Sequence, residues 1–209
     1  MDFFATVIRY FQNGGVFMYP ILVVLVLGLA IAIERFAYLR RAYSENRSLW
    51  GKLLPMVNAG RYDEAEKLAE SSSTAIGRVL GYGIARSRGQ ANREEVERAM
   101  EESLMEVTPL LERRTHYLAT FANVATLLGL LGTIIGLIHG FSSLSGVNPS
   151  EKQDQRSEAV SIAMNCTAFG LMTAVPFMLI HAWLSSMTDE LVDSLEMASV
   201  KFLNSLGLK

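Results

Sequence analysis

Read for its apolar runs, the chain divides into three long uncharged stretches separated by polar segments. The first, Val16–Ile33, runs about 18 residues without a charge, which is within the range of a membrane helix. The second, Ala119–Phe141, holds the run Leu127-Leu128-Gly129-Leu130-Leu131-Gly132-Thr133-Ile134-Ile135-Gly136-Leu137. The third, Ala159–Trp183, again has no Asp, Glu, Lys or Arg and again has a Thr within it. No β-rich stretch interrupts them. The pattern predicts an all-α integral membrane protein with three transmembrane helices and long cytoplasmic helical extensions.

The polar segments complete the division. Residues 1–15 read as an amphipathic helix at the outer surface, with Phe3, Phe4, Val7, Ile8 and Phe11 at helical spacing. The first span follows over 16–34 and a helical region over 35–115. The second span covers 116–141, an outer loop 142–157, the third span 158–184, and a C-terminal helix 185–209. In the 35–115 region, Gly60 precedes an amphipathic helix that ends at Ser71–Ser73. Asn92 with Glu95 three residues later is a capping-box signature. The periodicity from there runs through Pro109 and predicts a kinked helix that enters the second span without a loop.

Charge sets the expected orientation. Arg35, Arg40, Arg41, Arg47 and Lys52 follow the first span, and Arg113 and Arg114 precede the second. Positive residues beside a membrane helix stay cytoplasmic. The amino terminus and 142–157 are therefore expected outside, with 35–115 and the tail inside. The basic cluster follows the apolar run, the reverse of a secretory signal, so the first span reads as an uncleaved anchor.

The glycines at 129, 132, 136 and 140 recur in steps of three and four, which lets another helix approach closely. On a helical wheel Ala119, Ala122, Thr126, Leu130, Thr133, Leu137 and Gly140 form one stripe, with Gly129 and Gly136 flanking it. On the third span Thr167 shares a face with Ala163, Gly170, Ala174 and His181. Glu158, Ser161 and Asn165 lie about opposite, and Pro176 is expected to kink the helix. If several copies form a ring, the candidate pore-lining residues, and the candidate path if protons cross, are Thr126, Thr133, Thr167, Glu158, Asn165 and His181. The candidate packing residues are Gly129, Gly132, Gly136, Gly140, Gly170 and Pro176. Two threonines on one stripe suggest a lined interface. A hydroxyl can also bond back to its own helix, and that reading stays open.

Composition narrows the classes. The 209 residues are 50% hydrophobic, and the net charge of −2 makes nucleic acid a poor partner. One cysteine, Cys166, excludes an intrachain disulfide. Three scattered histidines make no metal pattern. No nucleophile–base pair or phosphate loop is visible, so an enzyme is not expected. Neither the second nor the third span holds a carboxylate at the depth of Thr133 and Thr167, so a proton carried there needs an acid from another protein.

Leu127-Leu128-Gly129-Leu130-Leu131-Gly132-Thr133 followed by Gly136, with Thr167-Ala168-x-Gly170-Leu171-x-x-Ala174-Val175-Pro176, closely resembles the ExbB/TolQ/MotA group of inner-membrane proton-channel subunits, ExbB and TolQ above all. The resemblance implies a homopentameric ring in the bacterial inner membrane, with 142–157 as a periplasmic loop. It implies a dimer of single-span ExbD/TolR-like partners in the pore, each bringing an intramembrane aspartate, and a TonB- or TolA-like protein beyond. It implies protons as the coupling ion, no other cofactor, and the proton-motive force turned into mechanical work at the envelope. The family's pore threonines map to Thr133 and Thr167. The chain departs from the pattern at Thr126, where many relatives have Pro, and at Ile162, where many ExbB and TolQ proteins carry Glu. A non-conducting membrane scaffold is the alternative function.

Overall fold

The structure is a computed structural model that describes residues 11, 14–88, 92–142 and 149–206. The helix expected over residues 1–15 lies, apart from Phe11, Gly14 and Gly15, outside them. The described residues form helices α1 (Met18–Asn58), α2 (Tyr62–Glu70), α3 (Ala75–Ser87), α4 (Arg93–Glu112), α5 (His116–Ser142) and α6 (Pro149–Ser205), with no strand among them. Three regions, Met18–Asn58, Arg93–Ser142 and Lys152–Ser205, are long and apolar enough to cross a membrane. The fold is therefore all-α with three membrane-spanning candidates. Hydrocarbon cannot satisfy free backbone polar groups, so helices are what such sequences form there.

Two compact units make up the chain: Met1–Ile33 with Arg114–Ala182, and Glu34–Arg113 with Trp183–Lys209. The first unit is apolar. Gly15, at φ 78°, makes the turn into α1. Pro20 falls in the first turn of α1, where a missing N–H leaves no helix bond unmade. Gly28 of α1 lies against the ring of Phe177 on α6, close enough that a Cβ there would strike it. Outward-facing apolar side chains, among them Val23, Val26, Ile134, Ile138, Met172 and Leu179, are exposed in this chain, as a lipid-facing or oligomer-facing surface requires.

The second unit is polar and is organised by helix ends. After α1, Gly60 takes φ 71°, its N–H donates to Val57 O at 3.0 Å, and Arg61 N–H donates to Met56 O at 2.9 Å. This is the paired-bond stop that glycine permits. Asn46 is buried on α1, and its Oδ1 accepts from Ile76 N–H at 3.1 Å at the start of α3. Thr74 caps the same helix through Gly77 N–H at 3.2 Å. Asn92 Oδ1 accepts from Glu95 N–H at 2.9 Å, which is half of the expected capping box. The Glu95 carboxylate turns instead to Arg86 at 3.0 Å. Arg35 is only 3% exposed. Its guanidinium donates to Leu111 O in the last turn of α4 and lies 4.8 Å from the Tyr38 ring centre. It thereby satisfies one of the orphan carbonyls at a helix C-terminus.

Two local features differ from the sequence expectation. Pro109 lies inside α4, but α4 does not run on into α5. The break is at residues 113–115, where Arg114 adopts φ 67°, a left-handed conformation that a helix cannot hold. Residues 142–157 were expected to be a loop, yet α6 begins at Pro149. Proline suits a first helical position.

Candidate functional site

The two helices that carry the paired motifs meet along a seam of small residues in the first unit. At Gly129 a Cβ would stand 3.2 Å from Cys166 O and 3.3 Å from the Cα atoms of Gly170 and Thr167. At Gly170 it would stand 2.7 Å from Ala125 O and 3.1 Å from Gly129 Cα. Here the two backbones touch. Toward the other end of α5, Gly132 lies against Cys166, Gly136 against Ala163 and Gly140 against Ala159. Close backbone approach through small residues is the usual basis of helix association in lipid, where no hydrophobic force draws helices together. Gly129, Gly132, Gly136, Gly140 and Gly170 thus all lie on this seam, while Pro176 is exposed.

The hydroxyls divide by face. Thr167 Oγ1 donates to Gly129 O at 3.1 Å, a hydrogen bond from α6 to α5. Thr133 Oγ1 donates to Leu130 O at 2.6 Å and Thr126 Oγ1 to Ala122 O at 3.0 Å, both within α5. The buried face of α5 is Leu118, Ala122, Ala125, Gly129 and Gly132. Of the stripe drawn from the wheel, Ala122 is buried, whereas Thr126 and Leu130 are exposed and Thr133 half-buried. Each threonine hydrogen therefore has an acceptor already. What remains on each oxygen is acceptor capacity.

The other candidates separate. Glu158 and Ile162 line an open cavity of about 430 Å³ with Gly136, His139, Gly140, Gln155 and Ala159. Asn165 lines a different groove with Arg156, Ser157, Val160, Ser161 and Met164. His181 is at the far end of the seam, where its ring lies 6.3 Å from that of His116. Sequence reasoning missed His116. It also missed His139 beside Glu158. The antiparallel register of the glycine seam, carried to both ends, would have found each.

Residues 71–197 match the model of the MotA/TolQ/ExbB proton channel family. The chain belongs to this family. Within the MotA/TolQ/ExbB family it is similar to a protein of Methanothermobacter thermautotrophicus named as a biopolymer transport ExbB homolog. That match is 29% identical and spans 94% of this chain and 69% of the relative. It is also similar to an ExbB-like protein of Synechocystis sp., 30% identical over 88% of this chain and 72% of that one. The Tol-Pal system protein TolQ of Haemophilus influenzae is 35% identical over 42% of this chain and 38% of its own. With three apolar spans, the chain is a multi-pass membrane protein of a proton-channel family.

Proposed function

We propose that this chain is the ring-forming subunit of a proton-driven motor in the bacterial inner membrane. Five copies enclose a pore. A pair of single-span partners of the ExbD/TolR type stands in it, and each brings an intramembrane aspartate. Passage of protons turns ring against partner, and the motion is handed to a TonB- or TolA-like protein that spans the periplasm. The basic residues after the first span support a cytoplasmic second unit and an outer amino terminus.

The observation that carries this reading is the threonine arrangement on two facing helices, α5 and the stretch 159–188 of α6, neither of which holds Asp, Glu, Lys or Arg. Thr167 is tied across the seam to Gly129 O, so α5 and α6 present their hydroxyls as one fixed unit. Because the hydroxyl hydrogens are committed, the oxygens facing a neighbour are acceptors. An acceptor girdle favours a protonated carboxyl, which has an O–H to give, over a carboxylate, which has none. The partner's acid would therefore rest at the girdle when protonated and leave it on releasing the proton. This chain offers no carboxylate of its own between Glu158 and Asp189 on α6, and none on α5. Proton capture at that depth falls to the partner.

The test is proton uptake by liposomes under an imposed pH gradient. It is run with this chain alone, with its partner, and with the partner's aspartate changed to asparagine. Flux is expected only with the intact partner. Fast uptake with this chain alone would overturn the scheme. Stable assembly with the partner but no flux would make the protein a scaffold instead.

A further inference from the structure

We infer that His116 and His181 form the relay through which protons leave the channel at the Arg114 end of the α5–α6 seam; this rests on the proton-channel reading above. Within the apolar unit, α1 contributes only Tyr19 as a titratable group. Helix α5 contributes His116, Tyr117 and His139, and α6 between Glu158 and Asp189 contributes Cys166 and His181. Only imidazole among these both takes and gives a proton near neutral pH. His139 is at the opposite end, so His116 and His181 are the imidazoles at this one, with Tyr117 beside His116.

The geometry suits a relay. The ring centroids are 6.3 Å apart and the planes are tilted by 46°. With the centroids this far apart the rings make no direct hydrogen bond, so transfer between them needs a water admitted between the two. His181 is half-buried, and its Nε2 is buried with no hydrogen-bond partner among the described residues. A buried polar nitrogen without a protein partner calls for a water or a proton-transfer role to account for it. His116 is exposed. The pair thus runs from a buried nitrogen to a solvent-facing ring.

The transfer balances on the two rings alone. His181 accepts a proton from a pore water at its unprotonated nitrogen and becomes imidazolium. It then gives the proton on its other nitrogen, through the bridging water, to the unprotonated nitrogen of His116. His116 releases a proton to bulk water, and both rings end neutral. Two imidazolium rings side by side would repel, so the transfer moves a single proton at a time.

The experiment uses the complex captured from its own membrane through this chain and reconstituted into liposomes, with proton flux read from a trapped pH dye. His181→Gln and His116→Gln are each expected to slow flux at least about a hundredfold, the lower end of general acid–base effects. The double variant should be no slower than the worse single one. Imidazole buffer on the side receiving protons should restore both singles and should not restore Thr167→Val, in which the girdle itself is altered. Wild-type flux in both histidine variants, alongside a conducting wild type and a dead Thr167→Val, would overturn the relay and leave the channel standing. A loss that imidazole does not restore would equally overturn it, as the mark of a packing role. No flux above empty liposomes from the wild-type complex would overturn both readings. His116→Gln changes an exposed side chain, so it tests the relay even if His181→Gln fails to assemble.

Discussion

Replacing Gly170 with alanine places a methyl where the structure has none to spare. The new Cβ would sit 2.7 Å from Ala125 O and 3.1 Å from Gly129 Cα, whereas ordinary contact begins at 3.4 Å. Both obstacles are backbone atoms of α5, so no side chain can rotate away, and the helices must part along the seam. Overpacking of this kind costs about 1–3 kcal/mol. Alanine has the better helix propensity by about 0.8–1.0 kcal/mol, which offsets part of that. Gly136 is the control. Its Cβ would meet Ala163 Cβ at 3.5 Å, an ordinary contact, so only the propensity gain applies. The expected outcome is a Gly170→Ala protein destabilised by up to about 2 kcal/mol and a Gly136→Ala protein unchanged or slightly stabilised. Detergent-titrated unfolding in mixed micelles, followed by far-ultraviolet circular dichroism, separates the two. A Gly170→Ala protein as stable as wild type would refute the seam. So would a Gly136→Ala protein weakened as much as Gly170→Ala.

Other expectations follow from single contacts. Thr167→Val keeps the shape and loses only one interhelical hydrogen bond, worth about 0.6 kcal/mol in membranes, so assembly by size-exclusion should survive while proton flux is lost. Undiminished flux would show that the hydroxyl serves packing alone. Asn46→Ala removes the acceptor of Ile76 N–H and should cost the second unit about 1–2 kcal/mol in thermal or denaturant melts. An added Cβ at Gly51 meets nothing within 4 Å, so Gly51→Ala should raise stability by roughly 0.5–1 kcal/mol. A cysteine at Ser48, in a Cys166→Ser background, should be labelled from the cytoplasmic side only; labelling from outside would reverse the proposed orientation.

The three spans were legible because lipid demands unbroken apolarity, and such runs show in a linear sequence. The helix stop at Gly60 and the helix start at Asn92 were legible because their chemistry is local. The packed face of α5 was not. A helix apolar on nearly every side gives a wheel little contrast, and the stripe through Thr126 and Thr133 was favoured over the buried one through Ala125, Gly129 and Gly132. Gly129 was placed on the flank, where the structure makes it the centre of the seam. Arg35 looked like one more member of a solvated basic cluster. Its burial depends on Leu111, a residue 76 positions away, and no local pattern signals such a partner. The His116–His181 pair is hidden for the same reason, since it becomes visible only when two distant helices are set in register.

The contact of Gly129 with Gly170 bears on the life of the protein before it meets its companions. Where two backbones touch, no file of water molecules can thread between the helices, and hydrogen-bonded water is what protons need to hop. On the proposed function, a newly inserted copy would offer protons no path through this contact, and an energised membrane could hold single copies without draining through it. A conducting file would then have to form away from this contact, and on the proposed function it comes into being only when the ring encloses it.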